Sequence, residues 1–310
     1  MNTRENPAWP ALPLAEWRDT YATLHMCMQI VGKTRLAFAP MENHWWQVAF
    51  YVTPRGLATS AIPDGERSFA VEFDFVGHSL AVRCSDGSSH GFALVPRSVA
   101  DFHALYMAAL HSLGIEPKLM PSPVEVETAI PFAEDREHAA YDPDAAHRCW
   151  QILVRVDQVM KRFRGRFVGK QSPSHFFWGS FDLAVTRFSG RPAPRHPGGA
   201  PHCPDYVMVE AYSHECSSCG FWPGGGAIEE PAFYAYAYPE PPGYATHAVR
   251  PSAALYDPQA REFILPYEAV RSDPDPDAAL LAFFQTTYEA AANHGRWDRP
   301  ALDRGQGEWP

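Results

Sequence analysis

The sequence predicts an α+β fold of two related lobes, each running helix, antiparallel strand meander and closing helix, with the sheets covered by helices. Three observations predict it. A helical pattern near the N-terminus is followed by short aromatic strands separated by turn residues. The same order of elements starts again after residue 146. Matched tripeptides mark both starts: Val31-Gly32-Lys33 precedes His44 and its tryptophans, and Val168-Gly169-Lys170 precedes His175 and its aromatics. Matched order along two halves reads as an internal duplication. The expected organisation is a first lobe at 1–114, a proline-rich connection at 115–146, and a second lobe at 147–310 that carries the candidate site.

Each element has its own signal. Trp17 to Leu36 repeats Leu24, Met28 and Val31 at helical spacing, and Gly32-Lys33 suits a helix end. His44 to Val52, HWWQVAFYV, has strand composition. SFAVEFDFVGH alternates, with Phe69, Val71, Phe73 and Phe75 on one face, and Gly77 and Asp86-Gly87 mark turns of a meander. Ser98 suits an N-cap for a helix running to Gly114. In the second half, Trp150 to Phe163 is helical in pattern, the strands SFDLAVT, VMVEAYSHE and FYAYAYP follow, and DAALLAFFQTTYEAAANHG closes the lobe as a helix.

Composition bounds the function. The chain has 310 residues, 46% hydrophobic and 20% charged, which is ordinary for a soluble domain that buries a full core. A net charge of −10 opposes the nucleic-acid backbone, and the basic run at Arg187, Arg191 and Arg195 is short. No apolar run reaches membrane-span length, and the N-terminus lacks the apolar core of a signal peptide. Six cysteines without an export signal predict reduced thiols and a cytoplasmic setting. The 30 prolines, clustered at 192–204, 239–251 and 273–276, predict ordered irregular loops.

Period-two alternation then selects the polar residues that chemistry would use. Ser180, Asp182, Ala184 and Thr186 share one face of their strand. Met208, Glu210, Tyr212 and His214 would share one face of theirs, and Tyr234, Tyr236 and Tyr238 one face of a third. Buried tyrosine hydroxyls need partners, so coinciding polar faces would make an acidic, aromatic cavity. The alternative is that these faces meet solvent or satisfy one another. His214, Glu210 and His175 offer nitrogen and oxygen ligands for zinc, iron or manganese. His202, Cys203, Cys216 and Cys219 offer an alternative structural zinc set with C-x-x-C spacing. His214 and Glu215 fall on opposed faces of a regular strand. Gly224-Gly225-Gly226 lacks the dinucleotide pattern, Gly169-Lys170-Gln171-Ser172 lacks the upstream P-loop glycines, and no G-x-S-x-G elbow is present. His25, Gln29 and Lys33, one turn apart, read as a half-exposed helix face, with a pocket wall as the alternative.

The segments SPSHFFWGSFDLAVTRFSGR, YSHECSSCGFWPGG, GK…NHWW and FYAYAYPEP resemble an uncharacterised bacterial family catalogued as domain of unknown function 5996, over nearly the whole chain. The resemblance implies a soluble bacterial protein with no assigned activity, ligand or catalytic residues.

The residue set points to a cytoplasmic enzyme acting on a small polar molecule in a cleft around His214, with hydrolysis, metal-assisted or metal-free, as its reaction class. His214 would be base or metal ligand, since imidazole titrates near neutral pH. Asp182 or Glu210 would orient it, with Glu215 and His175 as further catalytic candidates. Arg187 and Arg191 would hold a substrate anion, and Ser180, Trp222 and Tyr236 would line the wall. The first alternative is a binding protein without chemistry, in which arginines neutralise the carboxylates. The second is an interaction protein that dimerises through exposed tryptophans and prolines.

Overall fold

The computed structural model describes residues 7–226 and 228–305. Helix α1, Leu14–Phe38, is buried over most of its circumference from Thr20 onward. A helix apolar on more than one side belongs between layers rather than on a surface. It therefore runs on past Gly32-Lys33, which the sequence placed at its end. An interior glycine costs a helix roughly 1 kcal/mol. It is kept here because the Trp178 indole lies flat against it, where a Cβ would overlap the ring.

The first sheet comprises β1 (Tyr51–Val52), β2 (Gly56–Ala58), β3 (Ile62–Asp64), β4 (Arg67–Asp74), β5 (Ser79–Cys84) and β6 (Ser89–Ala93). Its order is β1-β2-β4-β5-β6, with β3 paired to β4 and every pair antiparallel. Phe69, Val71 and Phe73 are buried together, as the alternation predicts. Helix α2, Val99–Ser112, packs on β6 and α1, and the Ser98 hydroxyl accepts the Asp101 N–H at 3.1 Å as its N-cap.

HWWQVAFYV is not one strand. Asn43–Val48 forms a 3₁₀ turn in which His44 and Trp45 have φ of 60° and 61°. The His44 backbone N–H donates to the Glu210 carboxylate at 3.1 Å, and its ring contacts the Ala211 carbonyl at 3.0 Å. The segment is thus tied to the other half of the chain instead of to a neighbouring strand.

The second half begins with α3, Pro143–Arg164, and ends with α6, Pro276–His294, and the short α7, Arg299–Leu302. Between them lies an antiparallel sheet of β7 (His175–Phe177), β8 (Asp182–Pro192), β9 (His214–Trp222), β10 (Ala232–Tyr238), β11 (Leu255–Asp257) and β12 (Glu262–Pro266). Its order is β11-β12-β10-β9-β8-β7. Helix α4, Asp205–Ala211, and helix α5, Tyr267–Arg271, complete the set. VMVEAYSHE is therefore split. Pro204 and Asp205 open a helix, where a proline and an acid both suit the first turn, and the strand starts only at His214.

Mixed α+β architecture with antiparallel sheets is as the sequence predicts. The internal duplication is not confirmed. Val31-Gly32-Lys33 lies inside α1, whereas Val168-Gly169-Lys170 lies in a loop after α3, and the two sheets differ in strand order. One buried cluster runs through both halves. The N-terminal Trp9 packs edge-on against Phe233, and Phe50 pairs with Phe176 across the sheets. Among the described residues no helix is long and apolar enough to cross a membrane.

Candidate functional site

Helices α3 and α6 cover one face of the second sheet. The other face floors a cavity of about 750 Å³. Period two in the strands sets which residues reach it. Asp182 and Thr186 of β8, Ser218 and Trp222 of β9, Tyr234 and Tyr236 of β10, and Glu262 of β12 face the space. The roof comes from Lys33 of α1, Trp45 and Trp46 of the 3₁₀ turn, Glu125 of the connection, and Cys203 and Tyr206 at the start of α4. Trp45 and Tyr206 meet at 5.8 Å between ring centroids and close one side.

The floor is a paired polar network. Ser180 Oγ donates to Asp182 Oδ1 at 2.5 Å, and the Tyr234 hydroxyl donates to Asp182 Oδ2. The Tyr236 and Tyr212 hydroxyls hydrogen-bond to each other at 2.8 Å, and those of Thr186 and Ser218 at 3.0 Å. Tyr234 reaches Asp182 by lying across Gly220, where a Cβ would overlap its phenol ring. Burial raises the Asp182 carboxyl, while the two donated hydrogen bonds pull it back toward the charged form. Burial also drives the Tyr234 and Tyr236 phenols far above their usual range, so both are neutral donors.

Two more carboxyls face Asp182. Glu262 is pushed up to about 7 by burial and then by the Asp182 and Asp257 charges. Glu125 stands in the left-handed region at φ 59°, and its carboxyl presses on Gly179, where a Cβ would collide with it. It is ringed by protein yet open to the cavity space. When the cavity is dry, burial and then the Asp182 charge push it up to about 7, with Lys33 pulling the other way. Water in the cavity relaxes that displacement. Among the described residues none of the three carboxyls pairs with an arginine. Four non-glycine residues that line the cavity, His44, Trp45, Glu125 and His202, hold left-handed backbone. Backbone strain of this kind persists where the surroundings over-determine it, often at functional sites.

A second pocket of about 500 Å³ shares Glu125, Ser180 and Trp222 with the first, so these residues form the partition between the two. On its far wall the His138 Nδ1–H donates to Asp135 Oδ2 at 2.7 Å. Asp135, 1% exposed, also accepts the N–H groups of Glu137 and His138, which fixes that imidazole.

Of the residues singled out from sequence, Asp182, Ser180, Trp222 and Tyr236 come together at the cavity. The others lie elsewhere. His214 sits half-buried at the start of β9 outside the cavity lining, with Ser213 Oγ 3.1 Å from its Nδ1. Glu215 turns away and pairs with Arg191 at 2.6 Å. Arg191 also donates to the Gly295 and Arg296 carbonyls. Glu210, on α4, accepts from the His44 backbone. His175 is sealed at 1% exposure, and burial with the Arg35 and Arg164 charges pushes it down to about 3, so it is neutral.

Arg187 occupies the helix-covered face at 0% exposure, stacked over Phe163 at 3.4 Å and Tyr288 at 4.3 Å, and donates to the Phe163 carbonyl at 2.5 Å. Neither metal set assembles. Cys216 and Cys219 are three apart on a strand and so face opposite sides, Cys203 lies on the cavity roof, and His202 Nε2 is 3.2 Å from the Glu127 carbonyl. Among the described residues no group of three or more His, Cys, Asp or Glu side chains is placed to hold a metal ion. No described tryptophan is exposed, which removes the tryptophan part of the dimer reading.

Sequence reasoning missed Glu125 and Glu262, and for Lys33 it ranked the pocket wall below a half-exposed face. Lys33 belongs to the His25-Gln29-Lys33 stripe, which is not a half-exposed face. Gln29 is fully buried, holding the Val124 backbone at 2.8 Å, and Lys33 is 3% exposed. Glu262 alternates with Phe263 in REFILP, a pattern that becomes informative once β12 is seen to pair with β10. Glu125 lies in a proline-punctuated segment with no periodic signal.

The sequence model of a family described as "Family of unknown function (DUF5996)" matches residues 9–304. No curated protein and no solved structure matches the chain.

Proposed function

The chain belongs to the family of unknown function DUF5996, which assigns it no reaction, and from its own geometry we propose that it is an enzyme performing proton transfer on a small, partly apolar molecule held in the cavity under α1. The observation that carries this reading is the convergence of Asp182, Glu125 and Glu262 on one aromatic cavity without a neutralising arginine. Carboxyls held at different protonation states by their surroundings are what acid–base chemistry at neutral pH requires. Asp182, accepting from Ser180 and Tyr234, is the base. Glu125, standing between the two pockets and raised toward neutrality, is the acid. Trp46, Trp178 and Trp222 supply the apolar walls that orient a ring or alkyl group.

The metal-assisted reading centred on His214 lacks converging ligands. A pure binding protein would be expected to pair these carboxylates with arginines, which none of them does among the described residues. The test is a thermal-shift screen of small aromatic compounds, followed by proton NMR of each binder in D₂O. At least one binder should exchange a C–H proton for deuterium, and Asp182→Asn should slow that exchange by about 100-fold or more. Binders that exchange only at the buffer rate would assign the cavity to binding alone.

A further inference from the structure

We propose that Lys33 is a covalent attachment site, whose side-chain amine condenses with an aldehyde or ketone held in the cavity to give an imine. This deepens the proton-transfer reading and rests on the cavity being the substrate site. Four observations point to it. Lys33 is one of four lysines in the chain and the only one that lines the cavity. Its residue is 3% exposed, and among the described residues it makes neither a hydrogen bond nor an ion pair. Its nearest aromatic neighbour is the Trp178 ring, 5.7 Å from Nζ to centroid, and that indole is itself held by donating to the Val48 carbonyl at 2.9 Å. Gly32 lets the Trp178 ring pack against the helix beside the amine.

A buried amine that serves structure is normally tied to a carboxylate or carbonyl, because an unpartnered ammonium is costly away from water. Lys33 has none, and loss of water around the buried amine disfavours the ammonium and exposes the nucleophilic lone pair. Burial accordingly lowers its affinity for a proton, with Cys203 and Glu125 opposing. The other three lysines are placed differently. Lys118 is exposed, Lys161 pairs with Asp157 at 2.6 Å, and Lys170 donates to His44 Nε2 at 2.7 Å.

The chemistry balances with groups in the cavity. The neutral Lys33 amine attacks the carbonyl carbon, forming the C–N bond. The carbonyl π pair moves to oxygen, which takes up the proton released by nitrogen, and a carbinolamine results. Glu125 then gives its proton to that hydroxyl, the C–O bond breaks, water leaves, and the nitrogen lone pair closes the C=N bond. The remaining N–H proton returns to Glu125, so the sum is amine plus carbonyl compound giving imine plus water. An imine on Lys33 acidifies the adjacent carbon of its guest, the kind of C–H that Asp182 would exchange.

The test uses the full wild-type chain with benzaldehyde as probe and sodium cyanoborohydride to fix any imine, read by intact mass and peptide mapping. The expected result is a gain of one benzyl group, located on Lys33, at aldehyde concentrations that leave Lys118, Lys161 and Lys170 at least 10-fold less modified. Thiol adducts at Cys203 are not fixed by this reagent and do not confuse the map. Lys33→Arg should abolish the adduct. Labelling spread evenly over the four lysines, or none at Lys33, overturns the inference. Benzyl alcohol, which cannot form an imine, separates the two readings: if it quenches cavity tryptophan fluorescence while benzaldehyde leaves Lys33 unlabelled, the cavity remains a ligand site and only the imine is refuted.

Discussion

The two faces of the second sheet each bury a charged side chain from the same strand, and they treat it in opposite ways. Arg187 points into the helix-covered face, closed in by Phe163, Phe167 and Tyr288 and tied to a backbone carbonyl. Burial lowers even this guanidinium, to about 10, and it stays charged at neutral pH. Asp182 points to the other face, held by two hydroxyls but open to a cavity it shares with Glu125 and Glu262. A buried charge that its neighbours enclose belongs to the fold. One left facing open space beside like charges is poised for a guest.

That contrast can be broken from either side. Arg187→Ala should be the most damaging change, costing about 3 kcal/mol or more in urea unfolding, because it leaves a hole between three rings and an unpaired carbonyl. Asp182→Asn should cost less, about 1–2 kcal/mol, since the amide keeps the shape and relieves like-charge repulsion but its NH2 meets one of the two donating hydroxyls, while abolishing exchange chemistry. If Asp182→Asn unfolds the protein as severely as Arg187→Ala, the two faces do not differ as argued.

Gly220→Ala should come next. The added methyl collides with the Tyr234 phenol and with the Leu183 carbonyl, at a cost of about 1–3 kcal/mol. It also pushes Tyr234 off Asp182, so exchange should fall about 10-fold beyond any loss of folded protein. Unaltered exchange would show that Tyr234 does not set the state of Asp182.

Glu262→Gln should sharpen the comparison through pH. The Glu262 carboxyl sits at about 7 in the folded chain against an ordinary 4.5. Between those values the folded state holds a proton that the unfolded state has released, so wild-type stability falls as pH rises from 4.5 toward 7. Below 4.5 its contribution is fully present. Removing the carboxyl should flatten that decline by on the order of 1 kcal/mol, reduced from the full displacement because Glu262 is only half-buried. A Glu262→Gln variant with the wild-type pH profile would contradict the raised carboxyl. His214→Ala should have the smallest effect, within about 0.5 kcal/mol in stability and with unchanged exchange. A large loss would return His214 to the site.

Alternation and capping made much of this architecture legible in advance. Phe69, Val71 and Phe73, the Ser98 cap, the Tyr234-Tyr236 face and the closing helix all followed from period or cap chemistry. The failures have a common physical cause. HWWQVAFYV has strand composition, but its backbone is claimed by the Glu210 carboxylate and the Ala211 region, partners more than 150 residues away. VMVEAYSHE looked continuous because a seven-residue helix and a strand share its apolar pattern.

The site was half legible for the same reason. Asp182, Ser180, Trp222 and Tyr236 share strand faces and could be found by parity. Lys33, Glu125 and Glu262 meet them only through the packing of α1 and the connection over the sheet. Arg187 looked like an anion clamp because parity tells one face from the other without telling which is covered.

The most direct test of the acid–base cavity is a carbon-detected NMR titration of the side-chain carboxyls in the full chain, with Glu125→Gln and Glu262→Gln to assign them. A glutamate carboxyl titrating well above the ordinary 4.5, toward about 7, and vanishing in Glu262→Gln, with a smaller upward displacement that vanishes in Glu125→Gln, is the result this account predicts. Every glutamate titrating near 4.5 would contradict it and reduce the cavity to a solvated void.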